Sequence, residues 1–312
     1  MINIIQINKF SYFHNNKNVF FCKTDYISNI FGTIKNIKND VGLVDCDLYY
    51  QMDTSQLEYF IREYRYLYDY CIIVPVHMYG HCANMDEIER IALRHDCMIS
   101  EDSSHAHGTI TNEDRKTGTY GLANAFSLYP GKNLGAIGEA GIITTDNEEI
   151  KNYLHSLRNQ GTVTKYEYTT LGFNDKLDTI QAIILNEKLK FLPEWNEKRN
   201  KVAEQYNWLL GSVGKPDIAS YCKYHTYHIY PILVYNREKF IQYLSNRNIP
   251  TLIHYPTQVI KHQCCKGAGF ITCSNLDKSE YVCDNLVSLP IHPFLSDNNI
   301  KYICGVINDY TY

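Results

Sequence analysis

The chain reads as an α/β protein built on a mainly parallel sheet. Short apolar runs alternate with amphipathic segments through the first half of its 312 residues. One run, 71–76, is apolar almost throughout, as a strand covered on both faces must be. No internal repeat and no low-complexity linker breaks the order.

Taken in order, residues 19–22 and 41–44 read as short strands. Residues 55–68 are helical in pattern, with Leu57, Phe60, Ile61, Tyr64 and Leu67 on one face. The apolar strand 71–76 follows, then a helix at 84–94 with Met85, Ile88 and Ala92 turned inward. Residues 97–100 form a strand that ends at Glu101-Asp102. Residues 123–128 and 141–145 are strands flanking a Pro130-Gly131 turn. Residues 177–210 are helix-rich, and Pro193 bends or breaks that run. A domain boundary is expected at its end. This gives a large domain, 1–210, and a small C-terminal α+β domain, 211–312, with strand 227–234 and helices 237–246 and 298–307.

Bulk properties narrow the function. A net charge of −4 and a pI of about 6.3 point to neither nucleic acid nor an acidic membrane surface as partner, and the 27 tyrosines read as codon or genome bias. No apolar run is long enough to span a bilayer. Met1-Ile2-Asn3 opens no charged, then apolar, leader. The 11 scattered cysteines are expected as reduced thiols of a cytoplasmic protein. His262, Cys264 and Cys265 fit no zinc spacing, so no metal is expected.

The chemistry concentrates between Glu101 and Gly141. Asp102 ends one strand, and Lys132 sits in the turn after a neighbouring strand. In parallel sheets ligands bind beyond the carboxyl ends of strands. An acid and a lysine so placed suit pyridoxal 5'-phosphate (PLP). The amine condenses with the cofactor aldehyde, and the acid keeps the ring nitrogen protonated. Gly131-Lys132-Asn133 is no phosphate-binding P-loop, because no Ser or Thr follows the lysine. Each residue also has a plainer role available: a solvated lysine, an Asp102 that caps a turn, a core His105 or His107, a Ser127 that is only a strand residue.

Several ordered motifs carry a resemblance: VPVHMYGHCANMDEI, ISEDSSHAHG, FSLYPGKNLGAIGEAG, RNQG, LGFNDKLDTIQAIILNEKL, YHIYPI, IHYP and SLPIHP. In this order they resemble the DegT/DnrJ/EryC1/StrS family of PLP-dependent nucleotide-sugar aminotransferases, of aspartate-aminotransferase fold type I. The resemblance implies roles. Lys132 is the Schiff-base lysine, Asp102 the partner of the pyridinium nitrogen, and His105 a neighbour of the cofactor's phenolic oxygen. Ser127 is a phosphate ligand and Tyr26 the aromatic stacked on the ring. Asn174 and Lys176 reach the phosphate of the neighbouring subunit's cofactor, so a homodimer is implied, with Asn174 acting in trans. His107 is left structural. The His254-Tyr255-Pro256 loop approaches the substrate, but its motif and the Leu289–Pro293 motif are assigned to turns and packing. The implied reaction moves an amino group from glutamate to a nucleotide-linked 4-keto-6-deoxy or 3-keto sugar, for amino-sugar and glycan synthesis. A dehydratase of the same fold carries histidine in place of the lysine, so Lys132 argues against one.

Two features depart from the family. No Ser-Gly-Thr turn precedes Val19, so the chain is expected to be short at its N-terminus and to lack part of the phosphate cradle that a helix start provides. Lys176 stands where Arg is frequent, which keeps the charge and loses the bidentate fork. The competing expectation is therefore a catalytically impaired or split homologue that serves as a partner or regulatory subunit.

Overall fold

The computed structural model describes residues 19–24, 41–211, 214, 219–266, 270–272 and 275–311. Tyr26 lies outside them.

Its centre is a five-stranded, all-parallel sheet. The strands are β1 (Val19–Thr24), β2 (Val41–Val44), β3 (Tyr70–Val74), β4 (Met98–Ile99) and, from far along the chain, a strand at Phe270–Thr272 that pairs with β2. The order runs Phe270–Thr272, β2, β1, β3, β4. All four β2 residues are buried, as an unbroken apolar run requires.

Helices close the sheet. Helix α1 (Thr54–Tyr64) starts at Asp53, whose carboxylate accepts from the Ser55 and Gln56 amides, and it buries Leu57, Phe60 and Ile61. It stops short of the expected residue 68. Residues 65–67 tighten into a 3-10 turn, held by the Arg65 guanidinium on the Tyr68, His95 and Asp96 carbonyls. Helix α2 (Met85–Arg94) is capped by Asn84, begins with Asp86 and Glu87, and buries Met85, Ile88, Ile91 and Ala92. Full burial of a side chain such as Leu57 or Phe60 is worth about 1.5–3 kcal/mol.

Beyond β4 the sheet continues through single residues. Asp102 bridges Val76 on one side and Ala125 on the other, both in parallel sense. A short β5 (Ile110–Thr111) follows. Then β6 (Asn124–Ser127) pairs antiparallel with β7 (Gly141–Thr144). Helix α3 (Glu148–Leu157), capped by Asn147, and the hairpin β8 (Thr162–Thr164) and β9 (Glu167–Tyr168) have no counterpart in the sequence reading. In α3 Ile150, Tyr153, Leu154 and Leu157 share one face at helical spacing, although only Ser156 and Leu157 are buried.

The helix-rich segment breaks where Pro193 stands. Helix α4 (Thr179–Leu189) ends and α5 (Leu192–Leu209) begins, with the proline in its first turn, where a missing amide costs nothing. Strand β10 (Cys222–Tyr224) pairs with β5. Strand β11 (Tyr230–Leu233), helix α6 (Arg237–Ser245), β12 (the Phe270–Thr272 strand), α7 (Asp277–Asn285), β13 (Leu286–Leu289) and α8 (Asp297–Asn308) complete the chain. β11 and β13 pair antiparallel. They share a core with α5, α6 and α8, in which Tyr206, Tyr230, Phe240, Leu244 and Ile300 are fully buried. Among the described residues no helix is long and apolar enough to cross a membrane. Eight of the described cysteines form no disulfide.

Candidate active site

The site forms where the chain leaves β4 and β6. Asp102 is held from both sides. Its amide donates to the Pro75 carbonyl (2.9 Å), its carbonyl accepts from the His77 amide (3.0 Å), and the Ser103 amide donates to Ala125 (2.8 Å). The period-two alternation of extended backbone then separates two acids. Glu101 turns to one face, where its carboxylate takes His77 Nε2 (2.8 Å) and the Gly118 and Tyr120 amides (2.7 and 2.6 Å). Asp102 turns to the other, where Oδ1 accepts from the Ser104 amide (3.2 Å). Both are buried.

Lys132 closes the turn after β6, its amide donating to the Tyr129 carbonyl (2.9 Å). Burial pulls its ammonium down to about 8, and the Asp102 carboxylate partly offsets that. Near neutral pH such an amine is still mostly protonated, but its unprotonated fraction, the form that acts as nucleophile or general base, is far larger than an ordinary lysine's.

His105 lies beside the pair. Its Nδ1 accepts from the Tyr79 amide (3.3 Å), which places the proton of the neutral ring on Nε2. The ring packs against His228 (4.6 Å between centroids) and runs nearly parallel to Tyr79 (6.5 Å). Burial holds His105 and His228 well below the usual histidine range, with the Lys132 charge adding to this. Burial and Lys132 take His107 down to about 3; its ring rests on Phe126 (5.5 Å).

A cavity of about 590 Å³ opens over these groups, within the size range of small-molecule sites. Lys132, His105, Arg199, His228, His254 and Tyr255 are on its wall. His254 Nδ1 meets the Ser288 hydroxyl (2.8 Å). Tyr255 is pushed up to about 12 by burial and by Asp102. His254 and Tyr255, first assigned to turn and packing, thus face the cavity. His228 and Arg199 were not singled out at all. His228 was within reach, because it stands in the YHIYPI motif. Arg199 gives no local signal, because it reads as one of the polar residues of an ordinary helix.

The remaining residues spread out. Ser127 is half-buried on β6, opposite Gly141, and its hydroxyl oxygen accepts from the Tyr129 amide (3.3 Å). Asn174 and Lys176 are exposed and do not line this cavity. His81, Cys82 and Cys222 lie within 4.8 Å of one another. Both nitrogens of His81 are already engaged, Nδ1 with the Cys82 carbonyl and Nε2 with the Ala219 amide.

The donor set fits PLP. A low-pKa amine and a neutral imidazole line the cavity, and a buried carboxylate acts on both.

The family model described as "DegT/DnrJ/EryC1/StrS aminotransferase family" matches residues 18–308. The chain belongs to this family. It is 36% identical over 242 residues to the dTDP-3-amino-3,4,6-trideoxy-alpha-D-glucose transaminase of Streptomyces venezuelae, covering 76% of this chain and 63% of that protein. It is 36% identical over 244 residues to the dTDP-3-amino-3,6-dideoxy-alpha-D-galactopyranose transaminase of Aneurinibacillus thermoaerophilus, covering 77% of this chain and 65% of that one. The matches therefore span a little under two thirds of these relatives. Among solved structures, a DegT/DnrJ/EryC1/StrS aminotransferase from Brucella abortus superposes with a TM-score of 0.88 at 28% identity, over 98% of this chain and 83% of that one. The fold of this DegT/DnrJ/EryC1/StrS protein is that of the type I PLP-dependent aminotransferases.

Proposed function

We propose that the protein is a PLP-dependent aminotransferase acting on the keto group of a nucleotide-linked sugar, with glutamate as amino donor. One observation carries the reading: the Lys132 amine lines the cavity, drawn down to about 8 by burial and partly held up by the buried Asp102 carboxylate. The two dTDP-sugar transaminases among its relatives support the substrate class.

Lys132, Asp102, His105 and Ser127 would hold PLP, and Tyr26 would add the stacking face. When bound, PLP supplies an aldehyde to carry the amino group and a ring that accepts the electron pair released at carbon. Asp102 Oδ accepts a hydrogen bond from the protonated ring nitrogen. His105 would stay neutral and offer Nε2–H as a donor to PLP. Lys132 Nζ takes the proton from the α-carbon of glutamate. In the second half of the cycle it delivers a proton to the sugar carbon that gains nitrogen. His254 and Tyr255 close the wall against water.

The same reading makes the working unit a homodimer in a cytoplasmic setting. Helix α4 leaves Ile180 and Ile183 about 60% exposed, and Leu171 just before it is 90% exposed. Asn174 and Lys176 stand on the same segment, exposed and outside the lining of their own cavity. A second copy on this face would bury the apolar residues and bring Asn174 and Lys176 to the partner's PLP phosphate.

The test is turnover. With PLP, glutamate and a panel of dTDP- and UDP-linked 3-keto and 4-keto sugars, mass spectrometry should show one amino sugar formed with stoichiometric 2-oxoglutarate. Absence of both products across the panel would refute the proposal.

A further inference from the structure

Arg199 on α5 has no part in the chemistry above, yet its position is unusual for an arginine. It is 93% buried, on a face shared with Leu192, Asn196, Val202, Ala203 and Tyr206. One nitrogen, Nη1, serves three carbonyls: Tyr227 (3.0 Å), His228 (3.3 Å) and Ile291 (3.1 Å). Nε and Nη2 take part in no hydrogen bond and no ion pair among the described residues. Burial alone shifts the group, down to about 10, with no carboxylate acting against it. Buried arginines are ordinarily paired with an acid, because an uncompensated charge in a dry site is costly. Here the guanidinium is anchored at one corner and lies on the cavity that holds Lys132.

The charges on that cavity wall leave one vacancy in the chemistry. His105, His228 and His254 are all held below the usual histidine range, so they are neutral. Lys132 is committed to the cofactor and the proton. Arg199 is therefore the remaining fixed cation among the described residues that line the cavity, and it has two unused donor groups. An amino-acid donor brings carboxylates into the same space. A planar guanidinium with a free edge is the group that matches a carboxylate in two-pronged fashion.

We infer that Arg199 is the carboxylate-binding residue for the amino donor, holding one carboxylate of glutamate through Nε and Nη2 while the 227–228 and 291 carbonyls fix its orientation. This rests on the aminotransferase reading and deepens it. The neutral histidines keep the charge of the site at the two points that use it, Lys132 and Arg199.

The test uses maleate, an unreactive dicarboxylate, as a probe of binding by calorimetry, on the cofactor-free and the PLP-loaded protein. Wild type is compared with Arg199→Lys and Arg199→Met, each checked for a retained thermal transition and retained PLP. Maleate should bind wild type in both forms, about tenfold or more weaker in Arg199→Lys and below detection in Arg199→Met. Undiminished maleate affinity in the folded variants would overturn the assignment. So would absence of maleate binding to wild type, or binding of inorganic phosphate in its place. A second measurement needs no variant: phenylglyoxal should modify Arg199 in the wild type, located by peptide mass, and saturating maleate should protect it. An Arg199 that does not react, or reacts equally with maleate present, contradicts the inference. If the protein captures no PLP while maleate still binds at Arg199, the aminotransferase reading fails and the carboxylate site stands.

Discussion

The buried Asp102 carboxylate holds up the cavity-lining Lys132 amine that burial pulls down. The two influences oppose each other, and burial wins. This sets the pH at which the amine becomes reactive.

Because Lys132 titrates at about 8, the rate at which the cofactor-free protein captures PLP should rise with pH through about 8 and level off above it. An ordinary lysine would still be rising near pH 10. Removing the negative charge in Asp102→Asn takes away the support for the ammonium, so the midpoint should move lower still. Stopped-flow capture rates from pH 6 to 10 would show it. A midpoint that rises in Asp102→Asn would reverse the argument.

The proposed dimer face makes a separate demand. Ile183→Glu places a charge on the exposed apolar side of α4, where it would be solvated in a monomer and desolvated in a dimer. Light scattering should find wild type at twice the chain mass and the variant at the chain mass, with PLP retention reduced. A wild-type monomer would remove the role of Asn174 and Lys176.

Asn196 ties the two site loops together. Its Nδ2 donates to the His107 carbonyl (2.8 Å), and its Oδ1 accepts from Asn133 Nδ2 (2.9 Å), which also donates to the Thr226 carbonyl (2.9 Å). Asn196→Ala should cost about 2 kcal/mol, because a buried carbonyl loses its partner. Urea denaturation measures this. A change below about 0.5 kcal/mol would mean the network relaxes freely.

Gly121 holds the entry to β6 with φ +72°, and an added Cβ would lie 2.2 Å from the Ile99 carbonyl oxygen. Gly121→Ala should therefore destabilise by about 2–4 kcal/mol, through the left-handed backbone and the clash together. A thermal melt within a degree of wild type would contradict the geometry.

Much of this architecture was legible in the sequence. Leu57, Phe60 and Ile61, or Met85 and Ile88, mark helices because their spacing is set by the same burial that stabilises them. The strand ends at Asp102 and Lys132 were readable because apolar runs stop there. Other parts had no local signature. Strand β12 enters the sheet beside β2 from more than 200 positions away in sequence. Arg199 and Asn196 look like the polar half of an ordinary helix, and only the fold shows that they point inward. His254 and Tyr255 were read as turn residues beside Pro256, and their part in the cavity depends on the tertiary approach of Tyr79, whose hydroxyl donates to the His254 carbonyl (2.6 Å).

The most direct measurement is the visible absorption spectrum of the purified protein titrated with PLP, wild type beside Lys132→Ala. The account predicts a lysine-linked absorption band in wild type, lost on adding glutamate and absent from a folded Lys132→Ala protein. An identical band in both proteins, or none in wild type at saturating PLP, would contradict the assignment of Lys132 and the function built on it.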